Sequence, residues 1–408
     1  MFSRFRHAAS RFRSSTHQWR RNLTSLNRGQ RQKVLSRVGA LSLLGVGGFA
    51  MCQHLNDDQA YVVSISDLFI ITLTYSFYNR SCAQFANLDI KMEKKYVVIA
   101  APGMEEFAKA LVATDSSRFT YFETQWRKFP DGTDNIYIGG FYPVDYIHDA
   151  NVLFLASFYS NDATLSQYHA LTMLCESFVD SMTILLPFYP TGTMERVLKR
   201  GTVATANTMA KMFSHLPDVG RPARLMVYDL HTLQNQFYYS DNCLADLRSA
   251  FPLLIEAIEG GDVDCIAFPD DGAEKRFGKY FKQAFPDMEL VVCGKHRDPK
   301  DPTVRNIVIK DGNPKGRNII IVDDMVQSGG TLYNCAVELQ KGGASSVSAF
   351  CTHAVFPKHS WERFIKGGDR SIFKKFYVTN TNPTVTRELP KDDCFEVLDI
   401  IPLFVKDL

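Results

Sequence analysis

The sequence predicts an α/β protein of two tandem units, each a mainly parallel sheet flanked by helices. Three observations predict it. Short apolar runs alternate with helix-period stretches from Lys95 to the C-terminus, the pattern of repeated βα units. The 408 residues, 45% hydrophobic and 22% charged, suffice for two cores. The segment Asn318–Leu332, NIIIVDDMVQSGGTL, joins a continuous β-branched run to two acids and a small-residue loop. A strand buried on both faces of a parallel sheet reads this way up to its carboxyl end.

The chain divides by composition before it divides by pattern. Residues 1–52 carry ten Lys/Arg and no Asp or Glu, leaving 36 basic against 44 acidic side chains in the remainder, a balance of −8. An acidic body disfavours nucleic acid, whose phosphates need a basic surface. Met1 to about Val38, rich in Arg and Ser, reads as an organellar transit segment, with a basic arm for RNA or anionic lipid as the other reading. Val38–Cys52 is apolar but only fifteen residues long, shorter than the roughly 20 that span a bilayer. It admits membrane association through the N-terminal region without requiring it. Residues 53–94 form an extension in which Tyr61–Tyr78 is a second apolar stretch, interrupted by Asp67.

From Lys95 the elements follow in order. The first unit, 95–240, has expected strands at Tyr96–Ala100, Val152–Ala156, Thr183–Leu186 and Leu225–Tyr228, with helices at Met104–Ala113, Thr164–Val179 and Val203–Phe213. The second, 241–408, has expected strands at Cys265–Phe268, Leu290–Cys293, Ile319–Val322 and Ser346–Cys351. Its expected helices are Ala245–Glu259, Ala273–Ala284 and Thr331–Lys341. The junction is expected near residue 240. The nine cysteines have no CxxC pair or zinc spacing and read as core residues, as do Cys351 and His353.

The loop after Ile319–Val322 carries the most chemistry. Its strand is expected to end at Asp323. Backbone amides from Ser328, Gly329, Gly330 and Thr331, with the two hydroxyls, suit a terminal phosphate at a helix N-terminus. Asp323 and Asp324 suit vicinal sugar hydroxyls or a hydrated Mg²⁺. A surface turn closing a βα unit is the plain alternative for Asp-Asp plus Gly-Gly alone. All fifteen residues together resemble the phosphoribosyl-diphosphate loop of phosphoribosyltransferases and ribose-phosphate diphosphokinases.

Other segments extend the resemblance to the diphosphokinases over nearly all of 95–408, and imply two tandem phosphoribosyltransferase-like domains. Phe129-Pro130-Asp131-Gly132 is similar to a segment whose Phe packs on the ATP adenine, which implies nucleotide binding by Phe129 and Asp131. Tyr228-Asp229-Leu230-His231 resembles the Asp-Leu-His whose His contacts Mg·ATP. Phe268-Pro269-Asp270-Asp271-Gly272 resembles the Pro-Asp-x-Gly whose first acid binds magnesium, and implies Asp271 at the ribose phosphate. Lys295-His296-Arg297 matches the Lys-x-Arg of the catalytic flexible arm, and Asp298–Pro302 looks like exposed loop. The family's Arg-Gln pair is absent from Phe188–Arg196, where Glu195 and Arg196 remain, and its third loop acid is Gln327 here. These departures resemble the divergent plant-type class, associated with looser nucleotide choice and independence from phosphate activation.

The resemblance implies Mg²⁺-dependent transfer of the ATP diphosphoryl group to the C1 hydroxyl of ribose 5-phosphate. Lys295 and Arg297 would be catalytic, and Phe129, Asp131, Arg196 and His231 would hold ATP. His231 and Asp270 would hold the metal; Asp271, Asp323, Asp324, Ser328, Gly329, Gly330 and Thr331 would hold the sugar phosphate. An assembly of like or related subunits is implied, since the family's ATP sites lie between subunits. The leader implies mitochondrial delivery, with plastid or cytoplasm as alternatives. Two other functions stay open: a catalytically weak subunit or scaffold of an organellar complex, and a phosphoribosyltransferase consuming the same sugar phosphate.

Overall fold

The computed structural model describes residues 51–52, 61–62, 94–197, 199–297 and 305–408. Residues 1–92 form one unit and Glu93–Leu408 another. In the first, β1 (Met51–Cys52) pairs antiparallel with β2 (Tyr61–Val62). The leader expected over 1–38, most of the two apolar stretches and the expected loop 298–302 lie outside the described residues. Among those described, no helix is long and apolar enough to cross a membrane.

The second unit holds two sheets. In the first, β10 (Cys243–Arg248), β9 (Ala223–Tyr228), β8 (Ser181–Leu186), β7 (Asn151–Leu155), β3 (Tyr96–Ala100) and β4 (Phe119–Tyr121) lie side by side in that order, all parallel. Every residue of β8 is buried, as expected where helices cover both faces. Those helices include α1 (Glu105–Thr114), α2 (Asn161–Cys175) and α3 (Thr205–Ser214). Helix α2 begins three residues before its expected start because Ser160 Oγ accepts from Ala163 N, a cap worth about 1 kcal/mol. It stops before Phe178, which adopts φ of 55°. A separate hairpin of β5 (Thr124–Lys128) and β6 (Asp134–Ile138), unseen in the sequence, forms its own two-stranded ladder and packs on the first core through Trp126 and Ile138.

The second sheet has the order β13 (Arg305–Asp311), β12 (Glu289–Arg297), β11 (Cys265–Phe268), β14 (Asn318–Val326), β15 (Ser346–Ala354), β16 (Phe376–Thr379), β17 (Phe395–Leu398). All pairs are parallel except β12 with β13. Helices α4 (Phe251–Ile258), α5 (Asp271–Ala284), α6 (Gly330–Lys341), the short α7 (Pro383–Thr386) and α8 (Ile401–Asp407) complete the unit. Strand alternation splits β14 between two cores: Ile319 and Ile321 pack with Leu332 and Leu339, while Ile320 and Val322 pack with Phe251 and Phe277.

Four expectations change. The helix expected at Ala245–Glu259 is a strand, β10, followed by α4. Pro252 explains the break, because it sits in the first turn of α4, where its missing N–H costs nothing, whereas inside a longer helix it would cost about 3 kcal/mol. The junction expected near 240 therefore falls one strand short, since β10 is still the edge of the first sheet. Strand β14 continues past Asp323 to Val326, held by pairing as far as Val326 with Ala354. Strand β12 continues past Cys293 to Arg297, because β13 supplies an antiparallel ladder the sequence did not disclose. The chain's end also returns to the first core, where Ile400, Ile401, Leu403 and Phe404 pack.

Candidate active site

The carboxyl ends of parallel strands from both sheets meet at one place. Strand β9 ends at Tyr228 and is followed by Asp229, with φ of 38°, a conformation that costs energy for a non-glycine residue and is held by its surroundings. The Asp229 carboxylate accepts from Ala250 N at 2.9 Å and from Thr352 Oγ1, on β15 of the second sheet, at 2.7 Å. Its burial pushes the carboxyl up from the ordinary range. His353 adds a second tie, with Nε2–H donating to Tyr228 O at 2.9 Å and Nδ1 lying 2.9 Å from Thr381 Oγ1. These contacts hold the start of the Leu230-His231 turn against the second sheet.

His231 then reaches Asp324, with Nδ1 and Oδ2 2.8 Å apart. The first-sheet histidine and the second-sheet acid thus form one pair. The hydrogen bond and the Asp324 charge hold His231 above its ordinary value, against burial. Burial pushes Asp324 the other way from its partner's effect, but the His231 bond and charge, with Arg276, hold it below the ordinary carboxylate range. Asp323 behaves oppositely. Burial drives it well up, and the adjacent Asp324 and nearby Asp270 push it further. Of two neighbouring acids, one is held toward its charged form and the other is driven toward its neutral form.

The small-residue loop follows as expected. Gly329 caps α6 in the left-handed region, φ 68°, and no side chain caps the helix. A Cβ there would lie 2.3 Å from Phe364 Cζ, so conformation and packing both require glycine. Arg370 was missed by the sequence reading. Its Nη1 donates to Ser328 O at 3.2 Å, and its guanidinium lies 5.2 Å from the Tyr333 ring, placing a cation over the uncapped helix end. Ser360 Oγ–H donates to Gln327 O at 3.2 Å. No spacing signal in the sequence ties residues 360 and 370 to a loop at 328.

The other expected residues are placed less centrally. Asp270 is the N-cap of α5, its Oδ1 accepting from Gly272 N and Ala273 N at 3.1 and 3.0 Å. Asp271 pairs with Lys310 of β13 at 2.6 Å. Arg196 is exposed and pairs with Glu195 Oε1 at 2.9 Å, while Glu195 Oε2 is buried without a hydrogen bond. Phe129 and Asp131 form the tip of the β5–β6 hairpin. Phe129 is half exposed, and the Asp131 carboxylate accepts from Thr133 N and Oγ1. The hairpin's contacts run to α2, through Lys128 with Asp162 and Ser166 with Asp134, and to the first sheet, where Trp126 Nε1–H donates to Ala100 O at 3.0 Å; none described joins its tip to His231. Lys295 and Arg297 lie on β12, in register with Ile307 and Arg305. A cavity of about 680 Å³ bordered by Phe107, Arg387, Phe395 and Asp399 contains none of these residues.

Among the described residues no three His, Cys, Asp or Glu side chains gather as a ready metal cage. The donor set still fits a hydrated Mg²⁺, which takes one or two carboxylates and completes its shell with water and phosphate. The upward drive on Asp323 from Asp324 and Asp270 is negative charge that a divalent ion would relieve.

Comparison with known proteins bears on this arrangement. Residues 236–383 match the phosphoribosyl transferase domain family. Ribose-phosphate pyrophosphokinase 4 of Oryza sativa subsp. japonica is 40% identical over 317 residues, 76% of this chain and 94% of that protein. The mitochondrial ribose-phosphate pyrophosphokinase 3 of Spinacia oleracea and the chloroplastic one of O. sativa are each 38% identical, covering 76% and 75% of this chain and 76% and 74% of theirs. The crystal structure of phosphoribosylpyrophosphate synthetase from Mycobacterium smegmatis superposes with a TM-score of 0.63 at 23% identity, covering 77% of this chain and 97% of that one. It shares the fold.

Proposed function

The chain belongs to the ribose-phosphate pyrophosphokinases, a transferase family, and from that membership we propose that it transfers the diphosphoryl group of ATP to the C1 hydroxyl of ribose 5-phosphate, releasing AMP. The observation that carries this reading is the His231–Asp324 contact at 2.8 Å. It brings a nucleotide-side residue and a sugar-side residue, 93 positions apart in the chain, to one point. A phosphoribosyltransferase would need only the second sheet and its loop.

Little covalent help from the protein is needed. The C1 oxygen forms a bond to the β-phosphorus as the bond to the α-phosphate oxygen breaks, and the hydroxyl proton departs to solvent or a nearby base. Alignment and charge then decide the rate. The uncapped start of α6, with Ser328–Thr331 and Arg370, holds the 5-phosphate. Asp324 and Asp323 face the ribose hydroxyls. His231, turned by Asp324 so that Nε2 is its outward nitrogen, and Asp270 would hold Mg²⁺, which would supply positive charge to the phosphate groups. Lys295 and Arg297 add charge from β12, where the transition state builds it. Phe129 and Asp131 would serve the adenine of a neighbouring subunit, consistent with a hairpin tip that has no described contact to its own His231. Asp271 and Arg196 flank the sugar phosphate and the nucleotide.

The leader supports delivery to mitochondria. Residues 1–52 fused to a fluorescent protein should go there, and replacing Arg4, Arg6, Arg11 and Arg13 by Glu should leave the fusion in the cytosol. The activity is tested by incubating the chain with ribose 5-phosphate, Mg²⁺ and ATP labelled in the β-phosphate. Label appearing in phosphoribosyl diphosphate, with AMP in equal amount, supports the reading. Label that stays in ATP, from protein that binds both substrates, would favour a scaffold subunit instead.

A further inference from the structure

Arg276 belongs to none of the roles above. It lies in the second turn of α5, and its Nη1–H donates to the backbone carbonyl of His231 at 3.1 Å. Its guanidinium carbon sits 4.5 Å from the centre of the Phe277 ring. These two contacts pin it between the turn that ends the first sheet's β9 and the helix that begins after the second sheet's β11. Its charge reaches the whole seam, helping to pull Asp324 down and opposing protonation of His231 and His353. Yet no carboxylate among the described residues forms an ion pair with it, in contrast to Arg224, Arg248, Arg317 and Arg363. A guanidinium has five N–H donors in a rigid fork. One is spent on a neutral carbonyl.

A positive group fixed at the meeting point of the two sheets, acting on Asp324 and Asp229 only through space and with no carboxylate of the described residues at ion-pair distance, is suited to an anion that arrives with substrate. We propose that Arg276 binds the β-phosphoryl group of the nucleotide through its remaining donors, while its Nη1–H keeps the His231 backbone in place. The proposal rests on the pyrophosphokinase reading of the site. In that reading His231 and Asp324 bracket the path of the transferred group, so a cation anchored on His231 meets the phosphoryl charge before and during transfer. Arg276 is then a fixed complement to Lys295 and Arg297. A purely structural Arg276 would prop the His231 turn and nothing more.

The two roles separate on binding. The full chain with Mg²⁺ is titrated with α,β-methylene-ATP and, separately, with AMP, which lacks a β-phosphate. Arg276→Gln keeps an N–H that can reach the His231 carbonyl but removes the charge and the fork. It should weaken the ATP analogue by about tenfold to a hundredfold, the range for a lost charge-assisted hydrogen bond, and leave AMP within about twofold. Unchanged analogue binding overturns the proposal, and so does an equal loss for AMP, which would mark a prop. If Arg276→Gln does not fold, Arg276→Lys decides: an analogue-specific loss supports the fork, and wild-type binding overturns it. Wild-type protein that binds neither nucleotide defeats the pyrophosphokinase reading as well, whereas wild-type binding with an indifferent Arg276→Gln defeats this proposal alone.

Discussion

At the scale of single residues, the His231–Asp324 pair is the point on which most of the site's electrostatics turn. His231 is held up chiefly by its bond to Asp324. A histidine raised in the folded state contributes stability that is present below its unfolded value and is lost as pH rises through the folded value. Asp324→Asn should therefore bring His231 down toward an ordinary imidazole, read by the chemical shift of its ring protons across pH, and should reduce turnover sharply while the fold persists. A variant that melts early but turns over normally would make Asp324 a structural acid. Part of this pair was legible in the sequence, since both residues end apolar runs and carry ionisable groups. The bond between them was not, because 93 residues separate them and only the packing of the two sheets closes that distance.

At the scale of elements, the loop from Asp323 to α6 shows what one glycine does. Gly329→Ala forces a Cβ into the left-handed region, which costs about 1 kcal/mol, and into Phe364 as well. Gly316→Ala is the matched control, with φ of 74° and nothing within 4 Å of the added carbon. The expected result in urea unfolding is a loss near 1 kcal/mol for Gly316→Ala and about 2–4 kcal/mol for Gly329→Ala, the excess being the overpacking term. Ribose 5-phosphate binding should fall only in the second. Equal losses would mean Phe364 simply moves aside. The glycine pair was readable as a tight loop, but the phenylalanine that makes one of the two indispensable comes from the end of a short 3₁₀ turn over Pro357–Arg363, with no periodicity to announce it.

At the scale of the whole molecule, two features beyond the Asp229 and Asp324 contacts tie the sheets together. His353 is buried between Tyr228 O and Thr381, and burial lowers it to about 4. Its stabilising effect is present above the unfolded value near 6.5 and is lost as pH falls, because the unfolded chain takes the proton first. The integrated loss between pH 6.5 and 4 reaches about 3 kcal/mol. His353→Gln should be less stable at pH 7 but flatter over that window in denaturant titrations; a parallel slope would remove His353 from the account of acid sensitivity. The second tie is α8. Phe404 is fully buried and lies 5.3 Å from Tyr228 and 6.0 Å from Phe107 ring to ring. Phe404→Ala should cost about 3–5 kcal/mol and unfold both sheets in one transition. A separate early transition of the first sheet alone would show that the return of the C-terminus adds stability without coupling.

The sequence by itself determined the layered α/β class, most strand and helix positions after Lys95, and the small-residue loop before α6, because burial periodicity and loop composition are local properties. It misread 245–259, where a strand with no clear alternation of its own passes within two residues into a helix and Pro252 marks the divide. It could not show the β5–β6 hairpin or the extension of β12, whose residues are held by partner strands and not by an apolar pattern of their own. The tertiary structure alone decided that β10 and α8 join the first core, that His231 meets Asp324 with Arg276 beside it, and that Arg370 reaches the loop at Ser328. Each of those facts depends on long-range pairing, and free energy gained between distant segments leaves little mark on either segment's local composition.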